Sequence, residues 1–190
     1  MNSNKLLILK GSPRENGNSA ILANQVAKGA QDAGANVESY QLHNMNIKPC
    51  DACDFCQGVG GGNCIVEDDM QILYPNLITA NGIVLASPIY WFTMSAQMKL
   101  CIDRWYALEG PEGNALSRKH FGIVLTYGDT DPYSSGAINA IRTFQDMFRY
   151  INAKLVGIVY GSATEAGEIQ KQQVILEQAY KLGKTLAIGN

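Results

Sequence analysis

Apolar residues fall along this chain in two alternating rhythms. Lys5–Leu9 (KLLIL) is a short apolar run that stops at Gly11-Ser12-Pro13. From Ser19 the rhythm becomes helical, with Ile21, Leu22, Val26 and Ala30 on one face, and it ends near Gly34. Asn36–Leu42 alternates as a strand does. Residues 43–66 carry no periodicity and read as loop. A helix is expected from Asp68, with Asp68 as its cap and Gln71 completing a capping box. Gly82–Ala86 (GIVLA) is apolar throughout, as a strand buried on both faces must be. A helix over about Ser95–Ala107, a strand at Phe121–Thr126, a helix over about Gly136–Tyr150, a strand at Leu155–Tyr160 and a helix over Glu168–Ala187 complete the pattern.

Five strands alternating with five helices predict an α/β fold, a parallel sheet with helices on both faces. In such sheets ligands sit beyond the carboxyl ends of the strands, at the switch point in strand order. Function is therefore expected in the loops after residues 9, 86, 126 and 160. A length of 190 residues fits one domain, 1–190, and 46% hydrophobic against 17% charged residues excludes wholesale disorder. The net charge of −2 argues against nucleic acid as a partner. No apolar run approaches the roughly 18–20 residues of a membrane helix. The first apolar run stops at Lys10, too soon for an export leader, so a cytoplasmic protein is expected.

The predicted strand ends carry suggestive chemistry. Gly11-Ser12-Pro13-Arg14-Glu15-Asn16-Gly17-Asn18-Ser19 joins a buried strand to an amphipathic helix. Small hydroxyl and amide side chains at a helix start suit a phosphate, and Arg14 adds positive charge. The plain alternative is a polar turn with Ser19 as N-cap. The pattern matches neither the dinucleotide fingerprint nor the P-loop. Ser87-Pro88-Ile89-Tyr90-Trp91-Phe92-Thr93-Met94 sets three aromatics in a row, which cannot all enter one core because neighbouring side chains diverge. They suit a planar heterocycle or a subunit contact, and Tyr127-Gly128-Asp129 could close the same pocket. A phosphate cradle beside an aromatic wall favours a flavin mononucleotide. No Ser-His-Asp set or paired carboxylates stand at useful spacing, so hydrolysis lacks support.

Cysteine usage is lopsided. Cys50, Cys53, Cys56 and Cys64 crowd one loop as C-x2-C-x2-C-x7-C, and Cys101 stands apart. With an ample core, metal or redox chemistry is the better reading than disulfides. The spacing resembles that of cubane iron–sulfur sites. Zinc, which usually takes two separated pairs, and a loop without metal remain open.

The loop GSPRENGNS, the run SPIYWFTMSAQMK with IDR following, and the cysteine loop ending in Cys64 and Asp68-Asp69 together resemble the NAD(P)H-dependent FMN reductase family, and within it the iron–sulfur flavoproteins. The likeness covers roughly residues 5–160. It implies a flavodoxin-like three-layer sandwich with strand order 2-1-3-4-5 and FMN at the switch point. Ser12, Pro13, Arg14, Asn18 and Ser19 would then serve the phosphate. Pro88, Ile89, Tyr90, Trp91 and Phe92 would lie against the isoalloxazine with Tyr127, Gly128 and Asp129. The resemblance nominates Cys50, Cys53, Cys56 and Cys64 as ligands of a [4Fe–4S] cluster, and it implies a homodimer or a homotetramer.

The expected function is an FMN-dependent oxidoreductase in which flavin carries the chemistry and no side chain is catalytic. NAD(P)H or ferredoxin would donate electrons, and quinone is a candidate partner. The rivals are a non-catalytic FMN carrier, a plain NAD(P)H:FMN or quinone reductase without a cluster, and a flavin-free redox-sensing or zinc-stabilised protein. Other residues read blandly: Cys101 as a buried small hydrophobe, Asp103 and Arg104 as surface or interface charges, Asp68 and Asp69 as helix-start residues. The Met94–Met98 and Phe144–Phe148 pairs read as core or interface. His43 and His120 lack ligand spacing.

Overall fold

The computed structural model describes residues 4–189. Its main strands are β1 (Lys5–Lys10), β2 (Asn36–Gln41), β3 (Gly82–Tyr90), β4 (His120–Tyr127) and β5 (Lys154–Ser162). Its helices are α1 (Asn18–Asp32), α2 (Met70–Thr79), α3 (Ala96–Asp103), α4 (Ala137–Tyr150) and α5 (Gln173–Ile188). The five strands pair in parallel in the order 2-1-3-4-5, the flavodoxin-like order expected. Among the described residues no helix is long and apolar enough to cross a membrane.

The two-residue period of the strands divides the core between two faces. Leu7, Leu9, Ile83, Leu85, Phe121, Ile123 and Leu125 face α2, α3 and α4, together with Met94, Met98, Cys101, Phe144 and Phe148. Leu6, Ile8, Val84, Ala86, Val124 and Val159 face α1 and α5. Leu6 to Leu9 are at most 1% exposed, and each such side chain contributes about 1.5–3 kcal/mol. On the second face α1 and α5 cross at glycines. A Cβ on Gly29 would lie 2.0 Å from the Tyr180 carbonyl oxygen, and one on Gly183 would lie 2.0 Å from that of Val26.

Several local expectations change. The expected helix over Ser95–Ala107 ends at Asp103 and tightens into a 3-10 turn over Arg104–Leu108. The last helix is preceded by a separate 3-10 turn, Glu168–Lys171. The capping box at α2 does not form. Asp68 Oδ1 accepts the Met70 N–H at 2.9 Å, but Gln71 Nε2 donates to the carbonyls of Cys64 (3.2 Å) and Val66 (3.1 Å). The end of the cysteine loop thus competes successfully for the side chain that would have closed the box.

Candidate functional site

The carboxyl ends of β1, β3, β4 and β5 surround a pocket of about 260 Å³. After β1 the chain turns under two hydrogen bonds: the Gly11 N–H donates to the Ala86 carbonyl (2.8 Å), and Ser95 Oγ donates to the Gly11 carbonyl (2.7 Å). Ser12 Oγ then accepts the Arg14 N–H at 3.0 Å. Gly17 is the N-cap of α1, and no side chain among the described residues caps that helix. Its first-turn amides and positive dipole end therefore open toward the pocket. Ser19 is not the cap. A Cβ at Gly17 would stand 2.7 Å from Ser12 Oγ, so the turn requires glycine for close approach.

Of the expected residues, Ser12, Arg14, Asn18, Ser19, Pro88, Ile89, Tyr90, Tyr127 and Gly128 line the pocket. Pro13, Trp91, Phe92 and Asp129 stand outside its wall. Gly17, Thr126, Ala163 and Thr164 join the lining without having been singled out. Their signal was positional, since all lie where a predicted strand ends or its following helix begins. Asn18 has a job its sequence position does not reveal. Its Nδ2 donates to the carbonyls of Ala163 (3.1 Å) and Glu165 (2.9 Å), and its Oδ1 accepts the Ile169 N–H (3.2 Å). The side chain thus ties the loop after β5 to the start of α1. Glu168 stiffens that loop by accepting the N–H groups of Thr164 (2.8 Å) and Glu165 (3.0 Å), which hold its carboxyl below its ordinary pKa.

The three aromatics after Ile89 diverge as expected. Ile89 and Tyr90 pair antiparallel with Met94 and Thr93, leaving Trp91 and Phe92 as a two-residue hairpin turn. Both have positive φ, 49° and 68°, a conformation that Asn-Gly usually supplies. Gly136, itself at φ 78°, makes room for the turn, because a Cβ there would lie 2.5 Å from that of Phe92. Asn139 Nδ2 donates to the Phe92 carbonyl at 3.2 Å. Trp91 is 92% exposed.

The pocket meets the demands of FMN. An uncapped helix start with Ser12, Ser19 and Arg14 on the pocket wall matches a phosphate. Tyr90 and Tyr127 beside Pro88 and Ile89 match a planar ring.

The cysteine loop is built differently. Cys50 and Cys53 are exposed, and Cys56 and Cys64 are half-buried. Among the described residues no group of three or more His, Cys, Asp or Glu side chains is gathered to hold a metal. Four thiols in one loop suit a soft metal chemically, and in this arrangement their sulfurs are not gathered on one point.

The surface reading of Arg104 is overturned. Its side chain is 1% exposed and forms an ion pair with the equally buried side chain of Asp68. Burial opposes both charges. Their mutual hydrogen bond, with Cys64 Sγ adding to Arg104 and the Lys48 and Met70 amides adding to Asp68, outweighs it, raising the arginine pKa and lowering that of Asp68. Charged residues in a short I-D-R run look solvated. Only the tertiary pairing with residue 68 reveals otherwise. Cys101 is fully buried, and burial pushes its thiol up to about 12.

Comparison with known proteins points the same way. Residues 4–167 match the family described as NADPH-dependent FMN reductase. A Bacillus subtilis protein, provisionally named an NAD(P)H-dependent FMN-containing oxidoreductase, is 28% identical over 185 residues, 95% of this chain and 97% of its own. An iron–sulfur flavoprotein of Methanocaldococcus jannaschii is 28% identical over 190 residues, 96% of this chain and 95% of its own. The solved NAD(P)H:quinone oxidoreductase from Methanothermobacter marburgensis shares the fold, with a TM-score of 0.76 at 18% identity, covering 97% of this chain and 96% of that one.

Proposed function

The chain belongs to the NADPH-dependent FMN reductase family, and from that footing we propose that it binds FMN in the strand-end pocket and transfers electrons from NAD(P)H to a quinone-type acceptor. The observation that carries this reading is the convergence of an uncapped α1 start, Arg14 and two tyrosines on one cavity. FMN, when bound, supplies hydride acceptance and release of electrons singly or in pairs. The protein's part is to hold and orient. Ser12, Ser19 and Arg14 would take the phosphate with the α1 amides, and Asn18 would act through the 163–169 loop rather than on the ligand. Pro88, Ile89, Tyr90 and Tyr127 would shield the ring, with Gly128 leaving the backbone close to its edge. The test is titration of apoprotein with FMN, followed by NADPH and NADH oxidation with a simple quinone. Arg14→Ala should weaken FMN binding about tenfold, the scale of one charge-assisted hydrogen bond. FMN binding without NAD(P)H oxidation would favour the carrier reading, and absence of FMN binding would overturn the proposal.

The cysteine loop supports a second reading, a [4Fe–4S] cluster on Cys50, Cys53, Cys56 and Cys64. Its support is the C-x2-C-x2-C-x7-C spacing together with relatives named iron–sulfur flavoproteins, among them one of Archaeoglobus fulgidus that is 32% identical over 136 residues, 72% of this chain and 68% of its own. The loop would have to rearrange to gather its sulfurs. Iron and sulfide analysis after anaerobic reconstitution decides: about four of each per chain supports the cluster, and none removes it. Exposed Trp91, Tyr133 and Tyr150 support self-association, which light scattering would measure directly.

A further inference from the structure

The loop that carries the four cysteines is closed at its feet by one buried side chain. Arg104 Nη1 donates to the Lys48 carbonyl at 3.0 Å and also to Asp68 Oδ2. Nη2 donates to Cys64 Sγ at 3.2 Å and to the Val66 carbonyl at 3.4 Å. One guanidinium therefore grips residue 48 on the way into the loop and residues 64, 66 and 68 on the way out. Asp68 doubles the closure, because Oδ2 also accepts the Lys48 N–H at 2.9 Å. Asn46 and Asp69 add a second rung: Asp69 Oδ2 accepts the Asn46 N–H at 2.7 Å, and the Asp69 N–H donates to the Asn46 carbonyl at 3.1 Å. The far side of Arg104 is anchored too, since its carbonyl accepts the Tyr74 hydroxyl at 3.1 Å.

We propose that Arg104 is a positioning residue for the cysteine loop, tying its two feet together and fixing Cys64 Sγ, so that Cys64 is set by the core of the protein while Cys50 and Cys53 are set only by the exposed loop. A guanidinium has donors and no acceptor, so at this hydrogen bond the sulfur can only accept. Its planar fork allows one side chain to serve both feet at once, which a lysine ammonium on its flexible stem does not reproduce. The inference goes beyond the function proposed above and does not depend on what the four thiols hold.

The experiment is native-state alkylation of the FMN-loaded protein with iodoacetamide under reducing conditions, with each cysteine quantified by peptide mass spectrometry. In the wild-type chain Cys64 should react more slowly than Cys50 and Cys53. In Arg104→Met the protection of Cys64 should be lost: with alkylation followed across pH so that each rate is expressed per thiolate, the Cys64 rate should rise to that of Cys50, even though loss of the neighbouring guanidinium lowers the thiolate fraction, and protease cleavage within residues 48–66 should accelerate. FMN affinity should stay the same, because the strand-end pocket does not include residue 104. Arg104→Lys keeps the charge; it should fold and still leave Cys64 fast. A purely structural role for Arg104 would instead keep Cys64 slow in any folded variant. Cys64 as fast as Cys50 in the wild-type chain, or slow in a folded Arg104→Lys protein, overturns the proposal. Should Arg104→Met fail to fold, those two measurements decide. Iron analysis is run in parallel, and a chain that takes up no iron removes the cluster reading while leaving the alkylation result to stand.

Discussion

Replacing Trp91 by glycine and, separately, by alanine isolates the backbone cost of the aromatic hairpin turn. Trp91 sits at φ 49° and is 92% exposed, so truncating its side chain removes little buried area. Its edge-on packing against the Phe92 ring, with centroids 6.0 Å apart, is absent from both variants and cancels in the comparison. Any residue with a Cβ pays about 1–2 kcal/mol in this left-handed region, and glycine does not. Glycine in turn gives the unfolded chain extra freedom worth about 0.5–1 kcal/mol relative to alanine. Trp91→Gly should therefore be about 0.5–1 kcal/mol more stable than Trp91→Ala. For a chain of 190 residues, where 1 kcal/mol moves Tm by about 2–4 °C, the gap is about 1–4 °C. Urea and thermal unfolding of the apoproteins measure it, with equal m-values required for the comparison. A Trp91→Gly protein no more stable than Trp91→Ala would refute the strain argument. If the strain persists because the indole serves the acceptor, both variants should also raise KM for a quinone while leaving FMN affinity unchanged.

Three further outcomes follow from the geometry. Gly183→Ala gains about 1 kcal/mol of helix propensity but drives a methyl into the Val26 carbonyl, so a net loss of about 2 kcal/mol or more is expected in chemical denaturation. Asn18→Ala removes three hydrogen bonds between α1 and the 163–169 loop; it should cost about 2–3 kcal/mol and weaken FMN binding, whereas unchanged binding would detach that loop from the site. Glu168 has its pKa depressed by the Thr164 and Glu165 amides, so its contribution is present above the unfolded-state pKa and fades as pH falls through the folded one. FMN affinity should show a matching acid limb that Glu168→Gln shifts or abolishes, and an identical limb in that variant would place the titration elsewhere.

The parallel sheet was legible in the sequence because burial on two faces demands continuous apolar runs, and Leu6–Leu9, Gly82–Ala86 and Phe121–Thr126 can satisfy nothing else, whereas the strand order was implied only by the resemblance to the FMN reductase family. The same logic located the pocket, since chain direction in a parallel sheet sends every candidate loop to one edge. Side-chain destinations were beyond it. Asn18 reads as a ligand for phosphate because amides suit anions, yet three backbone groups far along the chain claim it first. Arg104 reads as surface because charge is costly to bury, and that cost is met by Asp68, 36 residues away in sequence, together with Cys64 Sγ and the Lys48 and Val66 carbonyls, none of which local pattern places beside it. The cysteine spacing declared a set of four thiols but not their gathering, because a loop without periodic burial takes its shape from what grips its ends. Local pattern determined which elements form and which way they run; long-range hydrogen bonds between buried polar groups decided which side chains remain free to act.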